Sequence, residues 1–135
     1  MKVAGFKIWL IVLLLATSGC GERVRPVTGG TPGNLRTPQG PVGEMQVNVF
    51  QKANEAWQPV GFGVSAVDGT FALFKNQATG PLELSPGEYR CTIESAGAPA
   101  TVPPEYSRAE TSPLHITWPT PQARLDLIAP IKLAP

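Results

Sequence analysis

One histidine and two cysteines in 135 residues leave little from which to build a metal centre or a thiol-based active site. Zinc sites draw on several His or Cys ligands, and His115 with Cys91 cannot assemble one. Acidic residues are scattered singly, with no alternating Asp and Asn run of the calcium-loop type. Glu105 and Glu110 could flank a cation in a loop, but they read as ordinary solvated carboxylates, so no metal and no cofactor is expected. A serine nucleophile is also missing: Gly63-Val64-Ser65-Ala66-Val67 lacks the second glycine of a nucleophile elbow and follows no α/β pattern, which makes Ser65 a strand-edge residue. No basic patch recommends nucleic acid as a partner. No stretch of helical period is long enough to indicate an amphipathic helix.

Only one long apolar run occurs, over residues 8–16 (IWLIVLLLA), preceded by Lys2 and Lys7 and followed by Thr17, Ser18 and Gly19. Its length is about half the roughly 20 apolar residues of a membrane-spanning helix, and its flanks are those of a secretory signal. The Gly19-Cys20 junction resembles the lipobox of bacterial prolipoproteins, although Thr17 stands where an aliphatic residue is usual. That resemblance implies cleavage after residue 19, diacylglycerol on the Cys20 sulfur, and a membrane as the first partner. Gly21 in place of Asp points to the outer membrane as the location in the cell envelope. Loss of Lys2 and Lys7 with the signal lowers eleven Lys and Arg to nine against ten Asp and Glu, so the remaining 116 residues carry about one net negative charge.

That length suits one domain. Residues 20–43 hold Pro26, Pro32, Pro38 and Pro41 among six glycines and few apolar residues, which reads as a tether; an irregular first strand over residues 24–29 is the alternative. From Glu44 to Pro135 the pattern becomes short alternating runs between turn residues, an all-β signature. Met45, Val47 and Val49 share a face, a polar stretch over residues 51–56 leads to a strand at 57–65, and Asp68-Gly69 turns the chain before Phe71 and Leu73. Leu82 and Leu84 follow, then Pro86-Gly87 and a strand in which Tyr89, Cys91 and Ile93 face inward and Arg90, Thr92 and Glu94 outward. Cys91 is thus a small core residue. A long excursion over residues 96–104 leads to Leu114, Ile116 and Trp118 on one face with His115 opposite them, in solvent, and a last strand runs near residues 123–128.

Asp68-Gly69-Thr70-Phe71, Leu84-Ser85-Pro86-Gly87-Glu88-Tyr89 and Val102-Pro103-Pro104-Glu105-Tyr106, followed by Glu110-Thr111-Ser112-Pro113-Leu114, are together similar to motifs of the carboxypeptidase regulatory-like family. The resemblance covers residues 57–128 and implies a transthyretin-like (prealbumin-like) β-sandwich of about seven strands. It matches the non-catalytic appendage of the carboxypeptidases, not their zinc-binding peptidase part. Hydroxyisourate hydrolases share the fold but use several histidines and a C-terminal Tyr-Arg-Gly-Ser signature, and this chain has neither.

No catalytic residue is therefore expected. The expected function is a lipid-anchored structural or protein-interaction module of the cell envelope, with residues 96–113 as its recognition loop. A carbohydrate-binding module is the alternative, in which Trp57 and Tyr106 would form an exposed aromatic surface.

Overall fold

The computed structural model describes residues 29–134; the signal segment 1–19, Cys20, the front of the tether and nearly all of the alternative strand at 24–29 lie outside the described residues. Among the described residues the chain is all-β, with no α-helix. Its strands are β1 (Pro32–Thr37), β2 (Gly40–Pro41), β3 (Met45–Ala53), β4 (Ala56–Val64), β5 (Thr70–Ala72), β6 (Phe74–Lys75), β7 (Gly87–Ser95), β8 (Ala100–Thr101), β9 (His115–Trp118), β10 (Leu125–Ile128) and β11 (Lys132–Leu133). One antiparallel sheet has the order β6-β4-β3-β7-β9. In the second, β1 is central: β10 runs parallel along one side, and β2 and β5 pair antiparallel with its last and first residues on the other. A third, small pairing joins β8 to β11.

Period-two alternation decides what enters the core. Met45, Val47 and Val49 of β3 and Tyr89, Cys91 and Ile93 of β7 meet Leu35, Phe71, Leu125 and Leu127 of the second sheet in one buried cluster. Gly61 and Gly63 of β4 offer no side chain to this interior, and Leu82 and the Phe71 ring occupy the space a Cβ would need. The sheets therefore pack face to face, as in a sandwich.

The boundary expected between residues 43 and 44 moves toward the N-terminus. Residues 32–37 form the central strand of the second sheet, and Leu35 and Val42 are core residues. Composition hid this because Thr31, Gly33, Leu35 and Thr37 are the inward set, and only one of them is a large apolar residue. Pro32 opens the strand, where a missing N–H is tolerated, and backbone pairing with β10 and β5 satisfies the rest.

Three other local expectations change. The polar stretch at 51–56 is mostly strand: β3 and β4 join in a hairpin whose two turn residues, Asn54 and Glu55, both have positive φ, the requirement of a primed turn. The run that carries Phe71 and Leu73 divides at Leu73, so that β5 pairs with β1 and β6 with β4. Leu82 and Leu84 face the core without forming a strand. Their backbone is satisfied by irregular bonds from Leu82 N–H to the Leu73 carbonyl and from Leu84 N–H to Thr31 Oγ1.

Tyr89 behaves as its position requires. Its ring is buried and its hydroxyl donates to the Ser85 carbonyl at 2.7 Å, closing the Ser85-Pro86-Gly87 bend onto the start of β7. Removing that hydroxyl leaves a carbonyl without its partner, so Tyr89→Phe is expected to lower stability by about 1–2 kcal/mol with native secondary structure retained. Chemical denaturation checks it, and an unchanged midpoint would show that water replaces the hydroxyl at no cost.

Candidate functional site

Ser65, Cys91 and His115, the described residues weighed for covalent chemistry, each have a structural explanation. Ser65 is buried; its Oγ accepts from Met45 N–H at 3.2 Å and lies 3.4 Å from the Met45 carbonyl, fastening the end of β4 to the start of β3. It is an interior clamp rather than the strand-edge residue expected. His115 is exposed on β9, its Nε2 3.3 Å from the Glu88 carboxylate across the β7–β9 pair. Glu105 and Glu110 are both exposed, and Glu110 lies 4.0 Å from Arg108. No group of three metal-ligating side chains occurs among the described residues.

Cys91 lies at the centre of β7, fully buried, and burial pushes its thiol up to about 12. The neutral thiol packs as a small apolar group, and the thiolate that would react is suppressed. Native protein at neutral pH is therefore expected to resist thiol reagents, and Cys91→Val to change stability by less than about 1.5 kcal/mol. The sign of the pH dependence follows from the raised value. The unfolded thiol ionises first, so this contribution is intact below pH 9 and declines as the pH rises toward 12. Rapid labelling of native protein at Cys91 would contradict the assignment. The outward set of β7 is less simple than alternation suggests, since Thr92 is also buried and accepts from Asn48 Nδ2 at 3.3 Å.

Residues 96–113 are held against the domain. Tyr106 packs against the core cluster, and Ala98, Ala109 and Ser112 are buried. Ser112 Oγ donates to the Cys91 carbonyl, and Arg90 Nη1 donates to the carbonyls of Ala109 and Glu110 at 3.1 and 3.0 Å. The segment thus closes one side of the sheet rather than standing free as a recognition loop.

Trp57 and Tyr106 are both half-buried, and the structure does not bring them together. Phe62–Phe74 is the one aromatic ring pair among the described residues, with centroids 6.2 Å apart. Trp57 lies on the outer face of the five-stranded sheet, opposite Lys52 in register, with the Arg90 guanidinium 5.0 Å and the Lys52 ammonium 6.0 Å from its ring. Arg90 Nε makes no hydrogen bond, so this guanidinium is held by two carbonyls and by the indole.

Sequence reading missed that Trp57 has company. Register places Phe50 of β3, Phe62 and Trp57 of β4 and Phe74 of β6 on the outer face, away from the core cluster. All four are half-buried by neighbours on that face. The signal was present: Phe50 is out of phase with Met45, Val47 and Val49, and Phe74 is out of phase with Phe71 and Leu73.

A second surface lies at the end of the sandwich bearing the Asp68-Gly69 turn. Two adjoining open clefts of about 460 and 350 Å³ share Pro41 and Leu133. Thr37, Gln39 and Ile131 line one, and Val67, Ala98 and Pro99 the other. Val67 is 88% exposed and Leu133 54% exposed on their rim. The turn beside them is rigid, because Asp68 Oδ1 accepts from Thr70 N–H and Thr70 Oγ1 at 3.1 and 2.6 Å. These bonds, the hydroxyl first, hold the Asp68 carboxyl below its ordinary value, so the turn keeps them at neutral pH and loses them as acid protonates the carboxylate.

No protein-family model matches the chain, and no curated protein sequence matches it either. Among the described residues no helix is long and apolar enough to cross a membrane.

Proposed function

We propose that the chain is a lipid-anchored domain of the cell envelope, of the carboxypeptidase regulatory-like, transthyretin-like class, that acts by non-covalent binding to another envelope protein. Cys20 carries the lipid, the outer membrane is the surface it enters, and the domain performs no catalysis. The observation that carries the binding reading is the apolar rim formed by Val67 and Leu133 around the adjoining clefts. Exposed apolar side chains grouped around concave surface mark contact sites, because covering them releases water at little cost in ordering a rigid framework. Support for a non-catalytic role comes from Ser65, Cys91 and His115, which are placed in a clamp, in the core and in a solvent-exposed contact with Glu88.

The rim lies far from the anchor along the fold. The chain enters β1 beside Ala72 and Leu73 and runs toward Thr37, so the clefts sit at the opposite end of that strand from Gly29. A partner in the periplasmic space would therefore meet the clefts unobstructed by the membrane. Photo-crosslinking from position 67 in cells, followed by mass spectrometry, is expected to give one dominant adduct that the Leu133→Glu variant loses. Hydrolysis of peptide or ester substrates by the purified chain, abolished by Ser65→Ala or His115→Ala, would overturn the proposal.

A further inference from the structure

We infer that the outer face of the five-stranded sheet is a lipid-contact surface, with Phe50, Trp57, Phe62 and Phe74 resting in the interfacial layer of the membrane that holds the anchor. The inference rests on the lipid-anchored reading for the nearness of that membrane, and on three features of the face itself.

The first is composition. An antiparallel sheet with one face in the core presents polar residues on the other when that face meets only water. Here Phe50, Trp57, Phe62 and Phe74 hold four of the outer positions of β3, β4 and β6, beside Gln46, Asn48, Lys52, Pro59 and Val64. Aromatic side chains favour the boundary between headgroups and acyl chains, where the ring is sheltered and the edges remain wet.

The second is the distribution of charge. Lys52 lies over Trp57, beside the Arg90 guanidinium that the Ala109 and Glu110 carbonyls hold in place, and Lys75 stands exposed on the edge strand β6. Long cationic side chains that cover an aromatic ring can lie along apolar surface while reaching phosphate headgroups. Glu88 and Glu94 of the same face belong to β7, farther from that edge.

The third is where the anchored chain arrives. Gly29 lies against Ala72 and Gly30 N–H bonds the Leu73 carbonyl, immediately before Phe74 on β6. Nine residue steps separate Gly29 from Cys20, a reach of at most roughly 30 Å when fully extended. The β6 edge, which carries Phe74, is therefore the edge of the sheet tied closest to the bilayer, while the Val67 and Leu133 rim lies at the far end of β1.

The test uses full-length protein matured in cells. With Trp118→Phe, Trp57 is the single tryptophan remaining after removal of the signal segment, and the protein is placed in phosphatidylethanolamine–phosphatidylglycerol vesicles with brominated acyl chains. Trp57 emission is expected to fall to about half or less, and Phe62→Ser with Phe74→Ser to restore most of it at an unchanged melting temperature. Unquenched emission in vesicle-bound protein overturns the inference, including the case in which the face is shielded by a second copy or a protein partner. Phe62→Cys carrying a nitroxide reads the same depth without altering Trp118, since Cys91 is buried. Greater collision with oxygen than with a water-soluble nickel complex is expected, and the reverse overturns the inference. Intact mass of the same sample reports the anchor separately. If Cys20 proves unmodified, the unlipidated chain is sedimented with the same vesicles: binding weakened about five-fold or more by the double serine variant supports the lipid-contact face, and absence of binding overturns it.

Discussion

Gly69→Ala is expected to destabilise the domain by about 3–4 kcal/mol, well beyond the 1–2 kcal/mol of a left-handed backbone conformation alone. Gly69 has φ +84, and a Cβ there would stand 2.4 Å from the Leu35 carbonyl oxygen and 3.0 Å from Pro41. The neighbouring atom is backbone of the central strand, which also bonds this turn through Leu35 N–H to the Gly69 carbonyl at 2.8 Å. Nothing at the end of a flexible side chain can move aside, so the turn must lift from β1. Gly40→Ala is the control: Gly40 also has positive φ, +139, but open space surrounds it, and about 1–2 kcal/mol is expected. Urea denaturation of both variants decides the matter. Equal losses would mean that the close approach to Leu35 relaxes without cost.

Cys20→Ala is expected to have the largest effect on location. The lipidated form carries several acyl chains, each buried methylene contributing about 0.8 kcal/mol, so wild-type protein should remain in the membrane fraction through high-salt and carbonate washes. The variant cannot form the thioether. It is expected either to appear wholly in the soluble fraction or to persist as uncleaved precursor, in both cases without the mass of a diacylglycerol group. Intact-mass analysis of wild-type protein is the direct check, and an unmodified Cys20 or a wholly soluble wild type would remove the anchor from the proposal.

The two outcomes bear on different parts of the molecule. Gly69 holds the turn that carries Val67, so its loss should also weaken the crosslink from position 67, whereas Cys20→Ala should leave the fold and its melting temperature unchanged. A Cys20→Ala protein with a lowered melting temperature would show that the anchor region packs on the domain.

Much of the local structure was legible in residue order. Tyr89, Cys91 and Ile93 face inward because strand geometry alternates side chains, and that alternation is written in seven consecutive residues. Asp68-Gly69 makes its turn because an aspartate can accept from the backbone two residues ahead and a glycine tolerates positive φ. Leu114, Ile116 and Trp118 share a face opposite His115 for the same reason of period. Each of these depends on contacts within a few residues, so the chain encodes them locally.

Other features depend on partners far along the chain, and only the tertiary structure decided them. Proline and glycine made residues 32–37 look like tether, yet parallel pairing with β10, some ninety residues later, makes them the centre of a sheet. Residues 96–113 read as a free loop until Arg90, Cys91 and Ser112 bound them to β7. The aromatic row was visible as single out-of-phase residues, but its assembly needed the registers of β3 with β4 and of β4 with β6. By itself the sequence determined which side of β3, β7 and β9 faces the core and where Asp68-Gly69 turns the chain, because those follow from covalent geometry and the conformational range of single residues. Which strands become neighbours, which faces are then covered, and which apolar rims are left exposed were decided by packing, because they depend on side-chain volumes and backbone pairing summed over the whole core.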